Sequence, residues 1–421
     1  MKIYHRLRPR LIALFFITTL IPTLLTGIYA IHISGNTLRD LALTKQVEQA
    51  KNLANRIESF LKEAKNDLLF LSQCTPLRDY VNLRMAIALD LESEQHLPML
   101  PGGSLETAKQ AVERILEQKQ QILEQEFLAF SRNRGIYYQV RYLDETGKEV
   151  VRINSSSFRS WAVPRQELQN KADRYYFKET MRLSGKRVFV SPLDLNRERG
   201  QIEYPHKPVI RYAVSVYDDK NQKAGIVITN VDANQFLKEI TDVRLVNEEG
   251  YFLSHPNPDP DQEKRWGGPN DLNTGYNLEQ EYPKLATKII NRDGILSNPT
   301  ITLSHRRVVI PGTSERWTLI VQQDTKEVFR SLTQFSLGFA IILLVSTSII
   351  LFMAWLVSGK ITYPIEQLTH LADLISKGEL VDNPVRVNDK GEIGQLAQAF
   401  ERMRVSMIKS FERLRKQTRM L

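Results

Sequence analysis

The sequence predicts an α+β chain: a long stalk helix, two tandem sheet modules, two membrane-crossing helices and a C-terminal helical bundle. Three observations carry that expectation. Residues 11–33 and 335–357 are each 23 residues long and contain no Lys, Arg, Asp or Glu. Between them a strand–turn–strand pattern, later closed by a hairpin, occurs twice. After the second apolar stretch the hydrophobic residues step at heptad spacing.

Length and composition set the bounds. A chain of 421 residues is too long for one core and implies about two to three domains. With 42% hydrophobic and 25% charged residues, wholesale disorder is excluded. The single cysteine, Cys74, excludes an intramolecular disulfide framework and a cysteine zinc site. It reads as a small buried hydrophobe, with a redox role as the alternative. The net charge of +9 is spread along the chain without a nucleic-acid motif, so no nucleic-acid partner is expected.

At 1.5 Å per residue, each apolar stretch reaches about 34 Å as a helix, enough to cross a hydrocarbon core of about 30 Å. The first is too long for a signal-peptide core and lacks a small-x-small cleavage site, so it reads as an uncleaved anchor, kinked at Pro22 and Gly27. Lys2, Arg6, Arg8 and Arg10 precede it and Lys360 follows the second stretch. Positive flanks stay inside, which puts both termini in the cytoplasm and residues 34–334 outside the inner membrane, in the periplasm.

The outer segment opens with helices. From Asn36 to Leu71 apolar residues recur at helical spacing, with no Pro or Gly between Gly35 and Pro76. This predicts one long helix that continues the first span outward and also covers a core. A Pro- and Gly-rich break at 97–103 precedes a second amphipathic helix over 104–132, on Val112, Ile115, Ile122 and Phe130. Strands are expected at 137–143 and 149–153 around a turn at Asp144–Gly147, and again at 243–246 and 251–254 around Asn247–Gly250. Each copy then closes with a hairpin: 209–216 with 225–230, and 301–309 with 317–322. The repeat implies an internal duplication, with a distal module at 135–235 and a proximal module at 240–329 after stalk and helices at 34–134.

This arrangement resembles the double Cache (dCache) sensor family, a stalk helix carrying two PAS-like modules, over residues 34–329. The specific runs are DRYYF at Asp173–Phe177, VFVSPLDLN at Val188–Asn196 and KPVIR at Lys207–Arg211. The resemblance implies that the distal module holds a ligand and the proximal one transmits. Candidate ligand-binding residues are Arg174, Tyr175, Tyr176, Asp194, Lys207, Arg211 and Asp232. Arginine grips a carboxylate in a bidentate manner, the phenols supply walls with a polar handle, and the aspartates suit an ammonium. An amino acid, a carboxylate or an amine satisfies this mixture. Each residue also has a plain reading, with tyrosines packed on the sheet and charges in solvent. The family's amino-acid signature has an Arg two residues before a Trp-Tyr pair. Here Asp173 stands at the Arg position and Tyr175 at the Trp, which argues against an ordinary amino-acid ligand.

The acidic loop His255–Asp261 reads as a surface turn or a weak cation loop, without calcium-loop spacing. His206 and His305 have no metal partners at useful spacing. Neither a metal nor a cofactor is expected. No nucleophile elbow, phosphate loop or HExxH run is present, so no catalysis is expected from these residues.

After the second span, Pro364, Ile365, Leu368, Leu371 and Ile375 form one helix ending at Gly378. Asn383 and Pro384 sit in an extended connector, and Glu392 opens a second helix. Its seam is Ile393, Leu396, Phe400, Met403, Met407 and Leu414, a heptad pattern. Two such helices bury both seams only as a parallel dimer. Residues 358–411 resemble a HAMP relay, whose hallmark Pro and Glu are Pro364 and Glu392. The resemblance assigns signalling positions to Pro364, Ile365, Leu368, Glu392, Ile393, Leu396, Phe400 and Met403. From Arg402 to Arg419 seven Lys or Arg face one Glu, a basic face for anionic lipid or a solvated coil. Residues 412–421 form a short cytoplasmic tail.

The sequence therefore describes a homodimeric inner-membrane receptor that senses a small extracytoplasmic ligand and relays it through HAMP to a cytoplasmic output, either a separate cytoplasmic signalling protein or the rest of a larger receptor. Alternatives are the sensory half of a histidine kinase, nucleotide cyclase or methyl-accepting chemotaxis protein, or a membrane binding protein without signalling.

Overall fold

The computed structural model describes residues 13–14, 16–93, 105–156, 159–198, 200–256, 263–377 and 391–418. The basic flank at 2–10, the break at 97–103, residues 257–261 of the acidic loop and the 378–390 connector lie outside the described residues. Two compact units emerge: residues 43–328, and the residues before 43 with those after 328.

Helix α1 runs from Ile21 to Leu71. In the 43–328 unit its buried positions are Ala50, Ala54, Ile57, Leu61, Ala64, Leu68 and Leu71, spaced four and three in alternation. Leu53 and Phe60, expected in the core, are only partly buried. Alanines take those places because a helix side without long side chains lets the sheets approach closely. Burying a leucine such as Leu68 contributes about 1.5–3 kcal/mol, and Leu68→Ala would cost about 2–5 kcal/mol with its cavity. Helices α2 (Thr75–Ser93) and α3 (Leu105–Arg134) complete the layer, through Leu77, Tyr80, Leu123 and Phe127.

Both sheets pack on this layer. The distal one contains β1 (Tyr137–Leu143), β2 (Glu149–Ser155), β3 (Ser160–Ala162), β4 (Val188–Val190), β5 (Asp194–Leu195), β8 (Pro208–Tyr217) and β9 (Lys223–Asp232). Their order is β3-β2-β1-β9-β8-β4, with β5 on β8. Two short strands, β6 (Arg197–Glu198) and β7 (Gln201–Ile202), pair apart. Helix α4 (Tyr175–Arg182) lies over the face turned away from α1, packing Tyr176 and Phe177 on Leu143, Ala213, Ile226 and Ile228.

The proximal sheet is β11-β10-β14-β13-β12, from β10 (Arg244–Val246), β11 (Phe252–Ser254), β12 (Gly294–Ser297), β13 (Ile301–Val309) and β14 (Arg316–Asp324). Its order repeats the distal one, β10 standing for β1, β14 for β9 and β13 for β8. The turns repeat too. Asp144 Oδ1 accepts from the Lys148 amide at 3.0 Å, and Asn247 Oδ1 from the Tyr251 amide at 2.8 Å. Gly147 and Gly250 follow at φ +82° and +86°, a backbone that glycine alone adopts without strain. At Gly147 a Cβ would lie 2.6 Å from the Ala172 backbone. Duplication is thus written in topology and in turn chemistry. Short helices α5 (Leu278–Glu281) and α6 (Ala286–Asn291) close the outer proximal face over Val246, Phe252, Leu303 and Ile320.

Stalk and sheets are also pinned by polar contacts. The Gln46 side chain donates to the Thr302 carbonyl at 3.1 Å, and Tyr137 Oη donates to Asp67 at 2.7 Å.

In the other unit, α7 (Arg330–Val357) follows the sensor, and a π-helical turn at Ser358–Thr362 leads into α8 (Tyr363–Ser376). The first and last parts of the unit contain two helices long and apolar enough to cross a membrane. Their exposed Leu25, Ile28, Leu337, Ile341 and Phe352 suit a lipid surrounding. Pro22 is the second residue of α1 and directly follows a π-helical turn at Phe16–Leu20. At Gly27 a Cβ would sit 2.7 Å from Leu343 Cδ1, so glycine there permits a close contact.

Pro364 stands in the first turn of α8, and Glu392 opens α9 (Glu392–Thr418). Leu368 and Leu371 are buried, and the buried apolar residue of α9 is Ala397. Ile365, Ile393 and Phe400 are partly covered. Leu396 is 43% exposed, and Met403 and Met407 are also exposed. The expected α9 seam is therefore left open within one chain.

Candidate ligand-binding site

The open face of the distal sheet is polar where an ordinary core would be apolar. Register places Asn154, Gln139, Asn230 and Arg211 in one cross-strand row, with Arg141 opposite Arg152 beside it. These side chains alternate with Val140, Tyr142, Tyr212 and Val231, which face the helices. Helix α4 and the β5–β7 segment cover the row, so Arg141 and Arg211 are each only 3% exposed.

Burial of a charge is tolerated only with partners. Arg141 donates to Asn230 Oδ1 at 3.0 Å, to Tyr176 Oη at 3.4 Å and to Glu149 at 3.4 Å. Its Nε has no hydrogen-bond partner among the described residues. Gln139 and Arg152 both donate to Glu198 Oε1, at 3.1 and 2.9 Å. Arg211 donates to Asp194 at 2.6 Å and to Asn196 at 3.2 Å. Burial would raise the Tyr176 phenol, but Arg141, Lys171 and Arg174 together draw it below its ordinary value. Burial likewise disfavours the charged Glu198 carboxyl, yet Arg152 holds it below the usual range.

Beside this network a cleft of about 950 Å³ opens between the distal and proximal modules. Arg174, Tyr175, Asp194 and Arg211 line it, as do Phe189, Arg197, Trp266 and Asp271. Arg174 precedes α4 with extended backbone, its guanidinium 5.8 Å from the Tyr176 ring centroid. It makes no ion pair among the described residues. The Tyr175 ring stands edge-on to Tyr176 and Phe189. Asp271 accepts the Leu195 amide at 2.8 Å, and burial with the neighbouring Asp194 charge pushes its carboxyl up to about 6.

Of the seven sequence candidates, Arg174, Tyr175, Asp194 and Arg211 meet at the cleft. Tyr176 sits behind them, its hydroxyl on Arg141. Lys207 does not line the cleft: it pairs with Glu203, and its ammonium lies 4.2 Å from the Tyr138 ring centroid. Asp232 lies elsewhere, accepting the Asn234 amide at 3.0 Å at the end of β9. Their charges suit a ligand by type, but side-chain direction keeps both out of the cleft lining. Gln139, Arg141, Arg152, Glu198 and Asn230 were not anticipated. Their signal was the alternation of polar residues on β1, which is indistinguishable from a solvated face until α4 covers it. Among the described residues no group of three or more His, Cys, Asp or Glu is placed to hold a metal ion.

Residues 104–310 match the family described as bacterial histidine kinase, sensor domain, and residues 356–419 match the HAMP domain. No curated protein sequence matches the chain. A domain of a sensory box/GGDEF family protein from Vibrio parahaemolyticus is similar at 19% identity and TM-score 0.53, covering 69% of this chain and 99% of that one. The extracellular domain of the histidine kinase vpHK1S-Z8 is similar at 20% identity and TM-score 0.50, covering 74% of this chain and 95% of its own. These likenesses bear on the fold.

Proposed function

We propose that the chain is a transmembrane signal-transduction receptor, in which a segment similar to the bacterial histidine kinase sensor domain precedes a HAMP segment, and that it recognises a small carboxylate-bearing ligand on the distal wall of the cleft. The observation that carries this reading is Arg174. Its guanidinium has no carboxylate partner among the described residues, lines the cleft and stands beside Tyr175, while Arg211 behind it is committed to Asp194. A ligand carboxylate would supply the missing partner, and charge-assisted bonds to a guanidinium are among the stronger hydrogen bonds available. Tyr175 and Phe189 give the ligand an apolar flank.

The same reading extends to the whole receptor. Both termini lie in the cytoplasm and residues 34–334 in the periplasm, consistent with basic residues at the inner ends of the spans. Two copies associate in parallel, since a second chain would cover Leu396, Met403 and Met407. Ligand binding then favours one packing of the paired stalk helices, and the second span biases the HAMP bundle between two packings. The output passes to a cytoplasmic signalling protein.

The test is a thermal-shift screen of the full chain in detergent against amino acids, short carboxylates and polyamines. A specific carboxylate should raise the melting temperature in the wild type and not in Arg174→Ala. Carboxylates that stabilise both proteins equally would remove Arg174 from the site.

A further inference from the structure

Two adjacent hydrogen bonds join the distal module to the proximal one at the cleft. Asp271 Oδ1 accepts the Leu195 amide at 2.8 Å, and the Asn270 carbonyl accepts from Arg197 Nη2 at 2.8 Å. The acceptors are consecutive residues of a proximal loop, and the donors alternate along β5 and β6. The residue before Leu195 is Asp194, whose carboxylate accepts from Arg211 at 2.6 Å. Two carboxylates, one from each module, therefore meet within one residue of each other on β5. Both line the cleft, so protons reach them from solvent.

The two acids differ in what neutralises them. Asp194 has an arginine. Asp271 has one amide donor and no ion pair among the described residues. Its other oxygen turns toward its own loop, where a Cβ on Gly268 would lie 3.8 Å from Oδ2. A single neutral amide does not repay the hydration that a half-buried carboxylate gives up. The charges that face Asp271 are Asp194 on β5, Arg197 on β6 and Arg211 on β8. Burial pushes its carboxyl up to about 6 and Asp194 adds to the rise, against the Leu195 amide and the two arginines. Farther round the cleft stand Asp173 and Arg174, and the acidic wall of the proximal module: Glu248, Glu249 and Glu315. A protonated Asp271 still accepts the Leu195 amide through its carbonyl oxygen. The proton therefore keeps the bond and removes the repulsion. Ionisation sets a second negative charge beside Asp194, and the two carboxylates then compete for Arg197 and Arg211.

We propose that this contact is a proton-gated latch between the two modules, closed while Asp271 carries a proton and loosened when Asp271 ionises beside Asp194. The sign follows from the raised carboxyl. The latch is complete below the ordinary 3.8 and is lost as pH rises through about 6. The sensor then reads the acidity of its surroundings as well as the contents of the cleft. Because Asp194 also holds Arg211, which lines the cleft, loosening the latch alters the distal wall itself. The latch does not depend on the carboxylate reading of Arg174, since the proton alone works it.

The experiment measures the separation of the modules by pulsed electron paramagnetic resonance on the full chain in detergent, in carboxylate-free buffer. Spin labels are placed at Glu179→Cys on α4 and Glu279→Cys on α5, both exposed, in a Cys74→Ser background. Dilution with unlabelled chain restricts the signal to one subunit. The distance distribution should be narrow at pH 5 and longer and broader at pH 8, with a midpoint near 6. Asp271→Asn, which keeps an acceptor for the Leu195 amide and never ionises, should hold the narrow distribution across the whole range. Asp194→Asn removes the neighbouring charge and should move the midpoint down toward 3.8. A distribution that does not change between pH 5 and 8, or one that changes equally in Asp271→Asn, overturns the latch. A midpoint that Asp194→Asn leaves in place overturns the pairing of the two acids on which the latch rests. No carboxylate ligand is present, so either failure leaves the reading of Arg174 standing.

Discussion

Replacing Asp271 with Asn probes the electrostatic state of the contact between the two modules. Asp271 belongs to the proximal module and accepts the Leu195 amide of the distal one at 2.8 Å. Burial is the main cause of its raised pKa, and Asp194 adds to it, while Arg197 and Arg211 act in the opposite direction. The carboxyl moves from an ordinary 3.8 to about 6. Fully expressed, such a shift is worth about 3 kcal/mol, and partial solvent access reduces it to about 1.5 kcal/mol. Because the folded pKa lies above the unfolded one, this group favours the folded state below pH 3.8 and loses that contribution as pH rises through 6. Asparagine keeps an oxygen for the Leu195 amide and carries no charge at any pH. The variant should therefore match the wild type near pH 4. Near pH 7.5 it should melt about 3–6 °C higher, at about 2–4 °C per kcal/mol for a unit of this size. Differential scanning fluorimetry of the full chain between pH 4.5 and 8 reads the difference. A variant that melts lower at pH 7.5, or a gap that does not change with pH, would refute the argument.

Other substitutions test other parts of the structure. Glu281 is held down to about 2, despite burial, by hydrogen bonds from His255 and Arg244. Its contribution is present above pH 4.5 and fades as pH falls toward 2, so Glu281→Gln should lower stability by about 2 kcal/mol at pH 7 and by progressively less in acid. Gly147→Ala forces a side chain into a positive-φ turn against the Ala172 backbone. A loss of about 2 kcal/mol or more is expected by thermal unfolding, and a neutral result would contradict the close approach of this turn to Ala172. For α9, Leu396→Cys should crosslink readily between subunits in oxidised membranes, whereas Gln398→Cys should not. Equal crosslinking at both positions would argue against the heptad seam.

How much of this was legible in the sequence varied with the range of the interactions involved. Strands β1, β8, β13 and β14 were visible because alternation and turn residues are local signals. The duplication was visible for the same reason, as Asp144–Gly147 and Asn247–Gly250 bracket equivalent hairpins. Helix α4 was not seen. It has eight residues, and its buried positions, Tyr176, Phe177 and Thr180, are too few to establish a period. Without α4, Arg141 and Arg152 look like residues on a wet face. The acidic wall was hidden more deeply. Glu248 and Glu315 are 67 positions apart and share a site only because β10 and β14 pair. Sequence reasoning found the residues of the distal wall through the DRYYF run, and had no local signal for the wall opposite.

The same duplication lets the outer faces of the two modules be compared position by position. Both sheets rest on α1 through an apolar inner face, so neither is free to vary there. Their outer faces have diverged. Leu303 and Ile320 on β13 and β14, with Val246 and Phe252, meet Leu278 and Ile289 and form a dry second core. The corresponding distal surface has a smaller apolar cluster, Leu143, Ala213, Ile226 and Ile228 under Tyr176 and Phe177, and beside it the buried polar row of Arg211, Asn230, Gln139 and Arg141. A packed apolar face stabilises its module but offers a guest nothing to exchange. A buried polar face stabilises less, since each charge must recover its hydration through partners. Among the described residues it leaves Arg174 without an ion pair and the Arg141 Nε without a hydrogen-bond partner. The proximal module, with its outer face sealed, reaches the cleft through its edge. Its edge is where the β10–β11 and β13–β14 turns carry Glu248, Glu249 and Glu315 into the cleft.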